Sequence, residues 1–162
     1  MKKYVCIIIA LLMMISALPT AYAEDTGDNV PMGVASSNPF FSDCFYITGY
    51  ETRATNFTIS PVLTISSPSA NKVSARARAS ASTTVDKIGF TSLQIQRWNG
   101  SAWVNAVSWT NKYKTNTSSF SFTGSTSSAT SGAYYRAVCT FYAEKNGETE
   151  TVTVTTSYIQ CL

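Results

Sequence analysis

From residue 73 onward the chain alternates apolar and polar side chains with a period of two. Val73, Ala75, Ala77, Ala79 and Ala81 interleave with Ser74, Arg76, Arg78 and Ser80. Phe120 and Phe122 alternate with Ser119, Ser121 and Thr123, and the segments Tyr134–Ala143 and Glu148–Ile159 repeat the pattern. Successive side chains of a strand point to opposite faces, so these are strands buried on one side. Cys44–Tyr50 and Asn56–Ser66 add two more, with Ser67-Pro68-Ser69 as the turn that follows. Pro61 cannot donate to a ladder, which places the strand containing it at an edge. The small alanines of Val73–Ala81 leave room for a bulky residue such as Trp103 or Trp109 on the facing sheet. No amphipathic helix of useful length is predicted after residue 23.

The stretch Ile88–Trp109 organises the rest, because it holds all three tryptophans around a hairpin signal, Asn99-Gly100. A two-residue loop would split Leu93 and Ile95 from Trp103, Val107 and Trp109. A three-residue loop, Trp98-Asn99-Gly100 with Gly100 left-handed, pairs Ile95 with Trp103 and puts all five on one face. Burial of one face sets register, and a buried aliphatic side chain is worth roughly 1.5–3 kcal/mol, so the three-residue loop is expected. It leaves Trp98 in solvent at the tip.

The second hairpin turns at Asn146-Gly147. A two-residue loop sets Phe141 opposite Val152, Cys139 opposite Val154 and Tyr135 opposite Tyr158. The alternative register would place threonines against that row.

The N-terminus reads differently. Met1-Lys2-Lys3 is a basic start, Val5–Ile15 an apolar run too short to span a membrane, and Ala21-Tyr22-Ala23 a cleavage site. Residues 1–23 are therefore expected to be a signal peptide, 24–43 a flexible leader and 44–162 one β domain. The expected location is secreted, extracellular, with no stable membrane span after cleavage.

Composition narrows the chemistry. Residues 24–162 carry ten Lys and Arg against nine Asp and Glu, too balanced for a nucleic-acid partner. Arg76 and Arg78 read as a solvated strand face. There is no His, which removes the commonest general base and zinc ligand. Asp25, Asp28 and Asn29 match no metal loop, and no metal or cofactor is expected. Glu144, Glu148 and Glu150 gather at a hairpin tip, where solubility accounts for them, while Asp43, Glu51 and Asp86 stand apart. Three Asn-x-Ser/Thr triplets, at Asn56, Asn99 and Asn116, would matter only in a eukaryotic secretory route.

Three cysteines follow the signal peptide. In the second-hairpin register Cys139 faces inward, about 23 Å of strand from Cys161, too far for a bridge. The expected disulfide is Cys44–Cys161, with Cys139 free and shielded.

Seven or eight short strands separated by turns make an antiparallel β-sandwich, immunoglobulin-like or fibronectin-III-like. Leu93-Gln94-Ile95-Gln96-Arg97-Trp98-Asn99-Gly100, with Trp103 and Val107, resembles the central hairpin of bacterial immunoglobulin-like modules. Gly132-Ala133-Tyr134-Tyr135-Arg136-Ala137-Val138 is similar to the strand after their glycine corner. The combination behind a signal peptide also resembles small secreted proteins of Gram-positive bacteria. This resemblance covers about Asp86 to Tyr158 and implies a fold; it names no activity. Ala137 stands where antibody-type domains carry a cysteine after the corner tyrosine, so their inter-sheet disulfide is not implied.

The function expected from these readings is a non-catalytic binding or adhesion module for glycan or protein, using the exposed aromatics Trp98, Tyr134 and Tyr142. The alternative is a structural or assembly protein of the cell envelope that pairs through edge strands. A carboxylate-based hydrolase is third.

Overall fold

The computed structural model describes residues 31, 33–42, 45–51 and 56–162, with backbone alone for 45–51. The signal peptide, its cleavage site, Asp25, Asp28, Asn29 and Cys44 lie outside the described residues. Every regular element described is a strand: β1 (Phe41–Ser42), β2 (Phe45–Glu51), β3 (Ile59–Ser69), β4 (Lys72–Trp98), β5 (Trp103–Thr126), β6 (Tyr134–Lys145), β7 (Glu148–Thr156) and β8 (Ile159–Gln160). No helix among the described residues is long and apolar enough to cross a membrane.

The sandwich is one antiparallel sheet folded over on itself. Its strand order is β1-β3-β4-β6-β7-β2, with β5 also on β4 and β8 on β6. The segments expected as separate short strands at 73–81 and 88–97 are one strand of 27 residues. Likewise 103–109 and 119–123 are one strand of 24, and Lys112–Thr115 continues it. Straight, β4 would run about 90 Å, so it must bend. Between Ser80 and Val85 its register against β5 shifts. On its other edge β4 pairs β3 before the bend and β6 after it. The two halves then close face to face, with β3 packed across β6 and β7.

Apolar periodicity explains which face is inside. Ala75, Ala77, Ala79, Leu63 and Ile65 of the first half are buried, as are Ile88, Phe90, Leu93, Ile95, Cys139, Phe141, Val152 and Val154 of the second. Arg76 and Arg78 are exposed as expected. The alanine row accommodates aromatic rings: Phe120 and Phe122 meet Phe90 edge-on at 5.7 and 5.3 Å. Of the two tryptophans expected there, Trp109 is the one that packs inward, against Phe122 at 5.9 Å. Pro61 lies beyond the short reach of β1, which pairs only Ile65 and Ser66 of β3. The turn after β3 is at Ala70 and left-handed Asn71 (φ 59°); Ser67-Pro68-Ser69 forms an irregular strand end instead.

The Asn146-Gly147 hairpin has the expected register. Lys145 pairs Glu148, Phe141 pairs Val152 and Cys139 pairs Val154. Both loop residues have positive φ, 52° and 80°, the twist that matches two antiparallel strands. Past Thr156 the register changes. Thr156 and Ser157 are both buried, and Thr156 Oγ1 accepts from the Ala137 amide at 2.9 Å. The extra residue puts Ile159, not Tyr158, opposite Tyr135.

The first hairpin also departs from expectation. Its loop has four residues, Asn99–Ala102, closed by Trp98 opposite Trp103. Asn99 Oδ1 accepts from the amides of Ser101 (3.0 Å) and Ala102 (2.8 Å), and the Asn99 amide donates back to the Ala102 carbonyl. These local bonds favour the longer loop. Gly100 is left-handed, φ 102°. Ala106 is bulged, since Ile95 pairs Val107 while Gln96 pairs Asn105. Leu93, Ile95, Val107 and Trp109 therefore share the inner face, and Trp103 joins the outer one.

Cys139 and Cys161 are both buried and free. Cys161 Sγ takes a contact from Ser67 Oγ at 3.7 Å and lies 3.5 Å from the Leu162 carbonyl.

Candidate functional site

The Ala106 bulge and the Thr156–Ser157 break together build a cluster on the outer face of the second half. One sends Trp103 outward and the other sends Tyr158 outward. Trp98 meets Trp103 at 5.4 Å, Trp103 meets Tyr158 at 6.2 Å with rings 40° apart, and Tyr158 meets Tyr134 edge-on at 5.5 Å. Trp98 is half-buried within this row rather than alone in solvent, which corrects the expectation for the hairpin tip. Its indole Nε1 is buried without a hydrogen-bond partner among the described residues.

Arg136 completes the cluster. On β6 it shares a face with Tyr134 by simple parity. Its guanidinium carbon sits 4.5 Å from the Trp103 ring centroid, a cation–π stack. Its Nε donates to Gln96 Oε1 at 2.9 Å, and the Gln96 amide is fixed by Gln94 (3.1 Å) and Asn105 (3.3 Å). Partial burial pulls its pKa below the usual arginine value. No carboxylate among the described residues pairs with it.

Beside this stack runs a groove of about 270 Å³ lined by Gly33, Val34, Trp103, Arg136, Thr155, Thr156 and Tyr158. The wall at Gly33–Val34 is held by backbone bonds: the Tyr158 amide donates to the Val34 carbonyl at 2.9 Å, and the Ser36 amide to the Tyr158 carbonyl at 3.0 Å. Thus the segment expected to be a flexible leader contributes, from Gly33 on, a built edge of the groove.

Of the three aromatics singled out from the sequence, the fold brings Trp98 and Tyr134 together and leaves Tyr142 apart. Tyr142 is eight residues along β6, about 26 Å of strand away. It stacks edge-on with Tyr113 at 5.7 Å, and Lys87 Nζ lies 4.2 and 5.5 Å from the two ring centroids. These tyrosines flank Gly89 in the ladder. The Tyr142 hydroxyl donates to Glu144 at 2.8 Å, and burial, then Glu144 and Tyr113, push its pKa up to about 12.

The acidic residues whose side chains are described have structural partners. Glu148 accepts from the Asn56 amide at 3.1 Å, and Asp86 from the Asn146 amide at 2.7 Å. Glu150 does not belong to a solvated tip: it is 3% exposed and accepts from the Ile59 amide at 3.1 Å. Desolvation raises its pKa, and the Ile59 bond offsets part of the rise. Among the described residues no three His, Cys, Asp or Glu side chains gather as a metal site would require.

Trp103, Tyr158 and Arg136 are the functional candidates the sequence reading missed. Arg136 was within reach, being on the same strand face as Tyr134. The other two depend on a bulge and a strand break that alternation does not announce. No protein-family model, curated protein or solved structure matches this chain.

Proposed function

We propose that this is a secreted, non-catalytic binding protein whose ligand is a saccharide held in the Trp103–Tyr158 groove. The observation that carries the reading is the pairing of two half-buried rings with polar groups along one small groove. Ring faces take the CH faces of sugars, and Arg136 and the Thr155 hydroxyl supply directional hydrogen bonds. At about 270 Å³ the groove is at the small end of ligand sites. A protein partner would need on the order of 800 Å² of matched surface on each side.

The assembly alternative has one feature in its favour and more against it. β5 pairs β4 along one edge and no described strand along the other. That edge is interrupted by left-handed Asn111 (φ 53°) and Asn116 (φ 52°), and Lys112 and Lys114 stand between them. Kinks and charges of this kind blunt an edge against pairing.

The test is binding of a panel of neutral and acidic pyranose oligosaccharides, followed by tryptophan fluorescence. Trp103→Ala should abolish the signal and Tyr142→Ala should keep it. A panel on which nothing binds would remove the proposal, and a mass that rises with concentration in size-exclusion chromatography would favour assembly.

A further inference from the structure

The groove holds a cation prepared for an anion. Resting on the saccharide reading, we propose that the ligand is an acidic sugar, a uronate whose carboxylate pairs with Arg136 while its ring lies on Trp103 and Tyr158.

Three features of Arg136 support this. Its plane is fixed by stacking 4.5 Å over Trp103, and its Nε is occupied by Gln96 at 2.9 Å. The two terminal nitrogens have no protein acceptor among the described residues, so the fork that binds a carboxylate bidentately is ordered and vacant. The acidic side chains described are engaged elsewhere, Glu148 with Asn56, Glu150 with Ile59, Asp86 with Asn146 and Glu144 with Tyr142. An ordered arginine with no counter-charge among the described side chains, in a groove with aromatic walls, is the complement of a group that is planar and negative next to an apolar face. A neutral sugar would leave this charge partly desolvated and unpaired, which is unfavourable.

The probe is an oligogalacturonate, compared with its methyl ester, which keeps the ring faces and removes the charge. The acid should bind about tenfold or more tighter than the ester, the scale of one charge-assisted hydrogen-bonded pair, and the difference should shrink as salt is raised. Arg136→Gln should bring acid and ester to the same affinity. Arg136→Lys should recover part of the preference, since it keeps the charge without the fork. Equal binding of acid and ester by the native protein overturns the acidic-sugar proposal and leaves the saccharide reading standing. Preference for a sulfated oligosaccharide over the uronate also overturns it. Binding of neither probe overturns the acidic-sugar proposal, and the saccharide reading falls with it only when no member of the oligosaccharide panel binds.

Discussion

Trp109 lies so close over Gly124 that a methyl group on that glycine would sit 2.5 Å from Cζ2 of the indole. Gly124 pairs Ala75 across the ladder, and its lack of a side chain is what lets the Trp109 ring come this close. Gly124→Ala should cost about 1–3 kcal/mol, the range for overpacking a filled core. Trp109→Ala should cost about 3 kcal/mol by losing the ring. In the double variant the clash has no partner, so its loss should be smaller than the sum of the two single losses. Urea denaturation of the four proteins measures this, and strict additivity would mean the ring does not rest on Gly124.

Gly100→Ala tests the first hairpin. Its φ of 102° is one that alanine adopts only under strain, so a loss of about 1 kcal/mol or more is expected. A substitution without effect on the denaturation midpoint would contradict the loop geometry.

Much of the fold was legible because alternation reports burial directly. Val73–Ala81, Phe120–Phe122 and the Asn146-Gly147 hairpin as far as Thr156 obey it, and apart from Glu150 their inner residues are the ones expected. What alternation cannot show is a change of phase. Along β4 the buried set passes from Ala79 and Val85 to Ile88 and Phe90, then to Leu93 and Ile95. Each shift needs an irregular residue; at one, Thr91 Oγ1 donates to the Thr140 carbonyl. The continuity of β4 and β5 through the fold is invisible for the same reason. The site suffered most, because Trp103 and Tyr158 reach it through such shifts, whereas Tyr134 and Arg136 sit on a regular strand.

Glu150 gives the protein a pH-dependent stability of definite sign. Burial raises its folded pKa above the value of about 4.3 in an unfolded chain. The folded state then holds that proton more tightly, so the contribution is complete below pH about 4.3 and is lost as pH rises through the folded value. Glu150→Gln keeps an oxygen for the Ile59 amide and removes the charge. It should be more stable than the native protein at neutral pH and lack this titration. Glu150→Ala leaves the amide without its acceptor and should lose about 1–3 kcal/mol. Urea midpoints between pH 4 and 8 decide the point, and a native protein that gains on the Gln variant as pH rises would reverse the assignment.

Cys139 is fully buried opposite Val154, and burial raises its pKa well above that of a free thiol. Alkylation needs both access and thiolate, and here both are suppressed. Native Cys139 should resist iodoacetamide and react fully in denaturant; rapid native labelling would contradict its placement. Cys161 is 2% exposed and free, lying against Ser67, while Cys44 is outside the described residues. A Cys44–Cys161 bridge is therefore a proposal, one that would exchange the Ser67 contact for a covalent closure worth roughly 4–5 kcal/mol in the chain-entropy model. Non-reducing peptide mapping of secreted protein should yield that one crosslinked pair and an unmodified Cys139 peptide. A map with Cys161 alkylated in full after denaturation without reductant would show that the thiol found free here is the native state.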